Sequence, residues 1–176
     1  MACGRYTASS ATICSADYRQ ADGPIVARIL ITGAAGFVGQ ALCRHLAAGG
    51  FDVRGVVRNP CDIGASVEVQ VVDDLLDDGI SAEFMSGVDC VVHAAARVHQ
   101  IEETDGRELD AYIRDNTELT RRLAFAAAHA GVRRFVFLSS VKANGEESSS
   151  PYTEDTPPAP EDPYGISKLQ AEQALS

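Results

Sequence analysis

Short apolar segments alternate with amphipathic stretches along most of the chain. Runs rich in β-branched residues predict five strands, at residues 27–32, 52–58, 66–72, 89–96 and 133–140. Between them lie a glycine turn that opens a helix at 33–50, a short predicted helix at 81–86 and a long one over Leu109–Ala130, with Gly131 as its C-cap. Almost continuously apolar strands that alternate with helices indicate an α/β fold, a parallel sheet covered on both faces.

The two ends of the chain depart from this alternation. Residues 1–27 are rich in small and hydroxyl-bearing residues without periodicity, which predicts a disordered extension before a single domain at residues 28–176. The segment Val141–Pro163 holds five of the seven prolines and predicts a long loop, a feature that is usually functional in compact domains. Asp162 and Pro163 then predict the N-cap and first turn of a helix that runs to the end of the chain.

Composition and charge argue against several classes of protein. The net charge is −10, and residues 61–120 hold 15 acidic residues against three arginines, which argues against a nucleic-acid partner. No apolar run reaches the roughly 18 residues of a membrane span, and the N-terminal residues lack a secretory pattern, so no membrane partner is expected. Five scattered cysteines without CxxC spacing predict neither disulfides nor a metal site, and indicate a reducing, cytoplasmic compartment.

The first chemical motif is TGAAGFVG, residues 32–39, at the junction of a predicted strand and helix. Gly33 would make the tight turn, Gly36 would let a dinucleotide pyrophosphate approach the backbone, and Gly39 would let the helix pack on the strand. The GxxGxxG spacing is one residue longer than the common GxGxxG, and a plain turn is the alternative. The strand before it and the helix after it favour a nucleotide site.

Later positions bear on the choice of cofactor. An acidic residue about 20 positions after the glycines would bind the ribose of NAD, but Val57 stands there, followed by Arg58. Arg58 slightly favours the 2′-phosphate of NADP, the alternative being a solvated arginine. Asp74 either accepts from an adenine amino group or belongs to an acidic loop. The small residues Ala94–Ala96 would let a cofactor lie against the backbone, whereas His93 is expected to be packed, without a chemical role.

The final helix carries the sharpest catalytic pair. Tyr164 and Lys168 are four residues apart, which places them on one face, and a nearby ammonium lowers the pKa of a phenol. Because the chain has 13 arginines and only two lysines, chance is a weak explanation for a lysine at this position. Ser139 and Ser140 end the fifth predicted strand, and either hydroxyl could bond a substrate oxygen. Asn116 is a poor helix former inside the long helix, which indicates a local role.

Taken in order, six motifs resemble those of the extended short-chain dehydrogenase/reductases, most closely their nucleotide-sugar epimerase/dehydratase branch. They are TGAAGFVG, Asp74-Leu75, HAAA at 93–96, Asn116, LSS at 138–140 and YGISK at 164–168. The resemblance covers residues 28–176, the N-terminal half of a typical member. It implies a Rossmann-type doubly wound parallel sheet of strand order 3-2-1-4-5, without the family's final strands and substrate region. NAD or NADP would lie across the carboxyl ends of its strands.

The same resemblance implies roles for individual residues. Ser140 would orient the substrate hydroxyl, and is preferred over Ser139 because it lies five residues before Gly145. Tyr164 would transfer the proton, Lys168 would bind the nicotinamide ribose and tune Tyr164, and Asn116 would support this geometry. Besides Arg58, the implied cofactor-binding residues are Gly33, Gly36, Phe37, Val38, Gly39, Asp74, Leu75, Ala94, Ala95, Ala96, Tyr164 and Lys168.

Departures from the family pattern narrow the implied reaction. Val141-Lys142 stands where sugar-nucleotide dehydratases carry an Asp-Glu pair, which disfavours dehydration. The resemblance therefore implies an NAD(P)-dependent nucleotide-sugar epimerase or 4-keto-reductase, with proton and hydride transfer at C4 of a UDP-hexose. The alternative is a catalytically incomplete dinucleotide-binding module, because a typical member continues beyond this half. The family also implies a homodimer through the helices Leu109–Ala130 and Tyr164–Ser176.

Overall fold

The computed structural model describes residues 27–77, 80–81, 83–98 and 108–176. Five parallel strands form one sheet: β1 (Arg28–Thr32), β2 (Asp52–Val57), β3 (Val67–Val71), β4 (Cys90–His93) and β5 (Arg134–Phe137). Their order across the sheet is β3-β2-β1-β4-β5, so the predicted α/β class and strand order are confirmed.

Helical elements connect β1 to β2 and β4 to β5, and continue after β5. The elements are α1 (Phe37–Ala48), α2 (Glu108–Tyr112), a π-helical segment (Ile113–Glu118), α3 (Leu119–His129), a 3₁₀ turn (Val141–Ala143) and α4 (Pro163–Ala174). The long predicted helix thus lies where it was expected, but its middle is π-helical. Within the described residues, no helix is long and apolar enough to cross a membrane.

Strand β1 lies at the centre of the sheet and positions the site. Its last residue, Thr32, pairs with Val56 of β2 on one side and with His93 of β4 on the other. After β1 the chain continues through β2 and β3 on one side of it, and then crosses to β4 and β5 on the other side. In open α/β sheets a crevice forms at such a switch point, beyond the carboxyl ends of the strands.

Alternate residues of the central strands point into two apolar cores. On one face of the sheet, Ile29 and Ile31 are buried with Cys43 and Leu46 of α1. On the other face, Leu30 and Val91 are buried with Leu123 and Ala127 of α3. Covering both faces explains why the strand sequences are continuously apolar rather than alternating.

One local prediction is wrong. The helix expected at residues 81–86 is absent from its described part: residues 83–87 form turns. The Ser81 hydroxyl accepts from the Phe84 amide, and Gly87 adopts a φ of +69°. A side-chain cap followed so soon by a left-handed residue leaves room for no more than a turn.

Ala27, the first residue of the predicted strand 27–32, begins the described part of the chain. It is buried, and its carbonyl accepts from the Asp52 amide at 3.2 Å. The folded region therefore includes Ala27, because its backbone continues the β1–β2 pairing. The rest of the predicted extension, residues 1–26, lies outside the described residues.

Strand β5 is an edge of the sheet in the described part of the chain, and Val136 on it is 39% exposed. Unpaired edge amides are a template for pairing with another chain. We expect Val136→Lys to reduce self-association of the 176-residue chain in sedimentation velocity, with a change in unfolding free energy of about 1 kcal/mol or less.

The matched control is Phe125→Lys, which places the same charge on the exposed face of α3. If Phe125→Lys reduces association as much as Val136→Lys does, the chains associate through the helices and the edge-strand explanation is wrong. That outcome would also support the predicted homodimer.

Candidate functional site

The glycine turn after β1 brings backbone against backbone. Gly33 has a φ of +68°, and a Cβ at this position would lie 2.7 Å from the Ala95 amide nitrogen. A Cβ at Gly39 would collide with the Gly33 carbonyl oxygen. Only glycine fits both positions, because the turn touches the segment after β4 on one side and helix α1 on the other.

Helix α1 begins with an open N-terminus. Its N-cap is Gly36, no side chain caps the first turn, and that turn contains no acidic residue. Phe37 is 95% exposed and Val38 is 48% exposed at this end. The first amides of a helix have no intrahelical acceptor and form the positive end of the helix dipole. Together with the glycine turn, they suit the phosphates of a dinucleotide.

A cleft of about 430 Å³ opens over the carboxyl ends of β1 to β4, within the usual range of about 300–1,000 Å³ for small-molecule sites. Eight of the predicted cofactor residues line it: Gly33, Gly36, Arg58, Asp74, Leu75, Ala94, Ala95 and Ala96. The five others do not: Phe37, Val38 and Gly39 lie in the first turn of α1, and Tyr164 and Lys168 lie on α4.

Arg114 borders this cleft and was missed by the sequence analysis. Its guanidinium lies 2.8 Å from Asp74, 3.1 Å from Asp77 and 2.9 Å from Asp115. The other Asp74 oxygen accepts from the Leu76 amide at 2.8 Å. Burial acts to raise the pKa of Asp74, but the hydrogen bonds from Arg114 and Leu76 outweigh it and lower that pKa. Asp74 is thus both part of an acidic cluster and a carboxylate able to accept from an adenine amino group.

Arg58 lies at the rim of the cleft, where β2 ends. Its side chain is exposed and forms no ion pair in the described part of the chain. The structure therefore leaves its guanidinium available to a ligand phosphate, and the role predicted for it stays a prediction.

A buried hydrogen-bonded pair holds the strip of small residues after β4. His93 Nδ1 and the Thr32 hydroxyl are 2.6 Å apart, and the same Thr32 oxygen accepts from the Ala95 amide at 3.2 Å. Desolvation, with a smaller contribution from the Lys168 charge, lowers the pKa of His93 to about 3. A neutral, fully buried imidazole stacked on Phe137 is the packed histidine that was expected.

Asn116 joins the strip to helix α4. Its side-chain oxygen accepts from the Arg97 amide at 2.7 Å, and its Nδ2 donates to the Arg97 carbonyl and to the Ser167 hydroxyl. Ser167 in turn donates to the Tyr164 carbonyl at 2.7 Å. The π-helical segment carries Asn116, and such segments are frequent at functional sites. Sequence reasoning found Asn116 but not Ser167, because only the fold brings residues 51 positions apart together.

Tyr164 and Lys168 lie on one side of α4, as predicted, and pack on different neighbours. The Tyr164 ring meets Tyr112 edge-on, with centroids 6.3 Å apart. Lys168 is 1% exposed; its Nζ donates to the Leu138 carbonyl at 2.5 Å and lies 3.9 Å from the centre of the Phe137 ring. Burial lowers the pKa of Lys168 to about 8, against an opposing effect of Glu172.

The two candidate serines have different partners. Ser140 is the N-cap of the 3₁₀ turn, and its oxygen accepts from the Lys142 amide at 3.3 Å. Ser139 donates its hydroxyl to the Glu172 carboxylate. The Ser139 hydroxyl hydrogen is therefore already used in a bond to a carboxylate. The Ser140 oxygen acts as an acceptor, which leaves its hydroxyl hydrogen available to another partner. The preference for Ser140 stays a prediction that this difference supports.

Lys142 ties the turn that carries Ser140 to the start of α4. Its Nζ lies 2.6 Å from Asp162 and 2.9 Å from Glu146, and these hydrogen bonds raise the pKa of Lys142. The other Asp162 oxygen caps α4 at the Gly165 amide. A Cβ at Gly165 would lie 2.5 Å from the Lys142 carbonyl oxygen, so the turn and the helix approach closely enough to require glycine. From the sequence, Lys142 was notable only because it stands where sugar-nucleotide dehydratases carry an acidic residue.

Comparisons with known proteins agree with this geometry. A model of the NAD dependent epimerase/dehydratase family matches residues 29–176. The UDP-glucose 4-epimerase of Vibrio cholerae is 37% identical over 152 residues, which are 84% of this chain and 45% of that protein.

Solved structures give the same result. A short-chain dehydrogenase/reductase superfamily protein from Agrobacterium tumefaciens with bound NAD has a TM-score of 0.71 and 38% identity, over 84% of this chain and 44% of that one. MoeE5 in complex with UDP-glucose and NAD has a TM-score of 0.73 and 33% identity, over 84% and 47%. The chain thus spans less than half the length of these relatives.

The lowered pKa of Lys168 makes stability depend on pH in a definite direction. Between about 8 and the ordinary lysine value of 10.5, the unfolded chain holds a proton that the folded chain has released, so the free energy of unfolding rises with pH. We expect this rise in the native chain and not in Lys168→Met, measured by urea unfolding across that range. Lys142→Met is the control, because the pKa of Lys142 is raised and its removal should leave the rise in place. Parallel pH curves for the native chain and Lys168→Met would contradict the prediction.

Proposed function

Because the chain belongs to the NAD-dependent epimerase/dehydratase family of extended short-chain dehydrogenase/reductases, we propose that it binds NAD and carries the proton-transfer residues of a nucleotide-sugar 4-epimerase or 4-keto-reductase. The observation that carries the proposal is the contact between Gly33 and Ala95 beneath the cleft. This contact forms the floor that a dinucleotide needs, where any larger side chain would intrude.

The residues of the cleft and of the N-terminus of α1 suit three parts of a dinucleotide. The open N-terminus of α1 suits the pyrophosphate, the Asp74 carboxylate suits the adenine amino group, and Ala94–Ala96 leave room for the flat parts of the molecule. The solved relatives named above hold NAD, and they give no support to the sequence-based preference for NADP. NAD is therefore the cofactor that we propose.

Residues of α4 and of the turn after β5 would transfer the proton at the sugar. The bound nicotinamide would supply hydride transfer at C4 of the hexose. Tyr164 would exchange the proton of the C4 hydroxyl through its phenol oxygen, with the Lys168 ammonium on the same face of α4. Ser140 would donate its hydroxyl hydrogen to the same sugar oxygen and hold it in line with Tyr164.

Two observations support a UDP-hexose and a reaction without loss of water. The Vibrio cholerae relative is a UDP-glucose 4-epimerase, and MoeE5 holds UDP-glucose. At the position where the family's dehydratases carry an acid, Lys142 is bound by two carboxylates. An ion-paired ammonium cannot serve as the general base that elimination of water requires, so epimerisation or reduction is the better proposal.

Arg58 provides a test of the cofactor site by titration calorimetry. We expect NADH to bind, and Arg58→Ala to weaken NADPH about tenfold while NADH changes less than twofold, because the guanidinium can meet a 2′-phosphate and not a ribose hydroxyl. Arg133→Ala, at the amino-terminal end of β5, is the matched control and should affect neither. Equal losses of affinity for both cofactors, or no loss for either, would show that Arg58 does not contact the 2′-phosphate.

Tyr164 provides a test of the chemistry, measured on the chain joined to the sugar-nucleotide-binding part that its relatives carry. Tyr164→Phe should lower turnover of a UDP-hexose by about 10²–10⁴-fold while NADH affinity is nearly kept, because the ring stays in place. The control is Tyr152→Phe, whose hydroxyl has no hydrogen-bond partner in the described part of the chain. Unchanged turnover in Tyr164→Phe would remove this residue from the mechanism. Binding of NADH without turnover of any UDP-hexose would favour the dinucleotide-binding module instead.

A further inference from the structure

Helix α4 holds the end of β5 at two consecutive residues. Lys168 donates to the Leu138 carbonyl at 2.5 Å. One helical turn later, the Glu172 carboxylate accepts the Ser139 hydroxyl. Because residues four apart share a helix face, Tyr164, Lys168 and Glu172 form one row along α4. The next residue after this two-point attachment is Ser140, the proposed substrate-binding serine.

Glu172 has no cationic partner in the described part of the chain, unlike the two acidic residues of the neighbouring π-helical segment. Glu118 is paired with Arg121 and Arg122, and Asp115 with Arg97 and Arg114. Glu172 forms no ion pair in the described part of the chain; its side-chain partner is the Ser139 hydroxyl. No cation of the described residues therefore neutralises this carboxylate, which lies one helical turn after Lys168 on the same face of α4.

The surroundings of Lys168 make that charge important. The ammonium is almost fully buried against the Phe137 ring, which itself stacks on the neutral His93 of β4. The carboxylates of the π-helical segment are paired with arginines, and Lys142 of the 3₁₀ turn is paired with Asp162 and Glu146. Glu108 and Asp110 of α2, which also packs on α4, make no ion pair or hydrogen bond with Lys168. Glu172 is the carboxylate that acts on Lys168, and it opposes the effect of burial.

We propose that Glu172 is a positioning residue of this site: it anchors the end of β5 through Ser139, and it supplies the negative charge that keeps the buried Lys168 ammonium protonated. The proposal rests on the proposed function in so far as Lys168 serves the cofactor ribose and Tyr164. Its consequence is that Glu172 acts through Lys168 and Ser139, without touching substrate or cofactor.

The small number of lysines allows a direct test on the chain as it exists, without cofactor. A chain labelled with [ε-¹³C]lysine has two signals, from Lys142 and Lys168, which Lys142→Arg assigns. We expect Glu172→Gln to lower the titration midpoint of Lys168 by about half a pH unit or more, because an attractive charge is lost from a poorly solvated site. The Lys142 midpoint should stay unchanged.

Two further variants serve as controls. Glu147→Gln removes the same charge from an exposed position and should leave both lysines unchanged. Glu146→Gln, which removes a partner of Lys142, should lower the Lys142 midpoint and not that of Lys168. The proposal is overturned if the Lys168 midpoint moves no further in Glu172→Gln than in Glu147→Gln.

A folding defect in Glu172→Gln would not leave the question open. Glu172→Asp keeps the charge but shortens the side chain by one methylene, which moves the carboxylate away from Lys168. We therefore expect Glu172→Asp to lower the Lys168 titration midpoint relative to the native chain. An unchanged midpoint overturns the proposal. Titration with NADH then separates this inference from the proposed function. A chain that fails to bind NADH contradicts the proposed function, whereas NADH binding with an unmoved Lys168 titration contradicts only the role of Glu172.

Discussion

The rest of the site depends on one steric constraint, the close approach of the Gly33 turn to the backbone at Ala95. A β-carbon at Gly33 would lie 2.7 Å from that backbone, and one at Gly39 would collide with Gly33 itself. The constraint arises because β1 is flanked by β2 and β4, so the turn out of β1 must pass beside the segment leaving β4. Small residues at Ala94–Ala96 are a consequence of the same crowding. The floor of the cleft is therefore made of main chain, and its shape does not depend on any rotamer.

Helix α4 is positioned in a different way, by side chains from several elements. Asn116 links it to the backbone after β4, Lys142 links its N-cap to the turn that carries Ser140, and Lys168 attaches it to the end of β5. Each of these links is a directional polar contact that is buried or partly buried, and such a contact is costly to leave unmade. The floor of the cleft and the placement of α4 can therefore be disturbed separately, because backbone packing controls the first and a polar network controls the second.

Periodicity and glycine spacing predicted the features that are local in sequence. The strands, α1, α4 and the glycine turn are encoded within about a dozen residues each, and all lie where the pattern placed them, although β4 and β5 end three residues before the predicted strands do. The partners of Arg114 and of Asn116 come from segments up to about fifty residues away, so no local pattern indicated them. The π-helical segment escaped prediction for the same reason: the contacts of Asn116 with Arg97 and Ser167 favour it, whereas the helical periodicity around it looks uninterrupted. Residues 81–86 were misjudged because a serine cap and a nearby glycine favour a turn over a helix.

The uneven use of arginine and lysine follows from the different demands of these positions. Arginines form most of the ion pairs in the described part of the chain, such as Arg114 with Asp74 and Arg133 with Asp89, where a permanent charge and a planar fork are sufficient. At position 168 the cation is buried beside the Phe137 ring, and burial lowers its pKa to about 8. A guanidinium would stay charged under such burial, whereas an ammonium is compact and titrates. Because burial favours the neutral form of that ammonium, the Glu172 carboxylate one helical turn away opposes this effect. The lysine and the carboxylate on one face of α4 therefore form one electrostatic unit, in which the carboxylate offsets part of the cost of burying the cation.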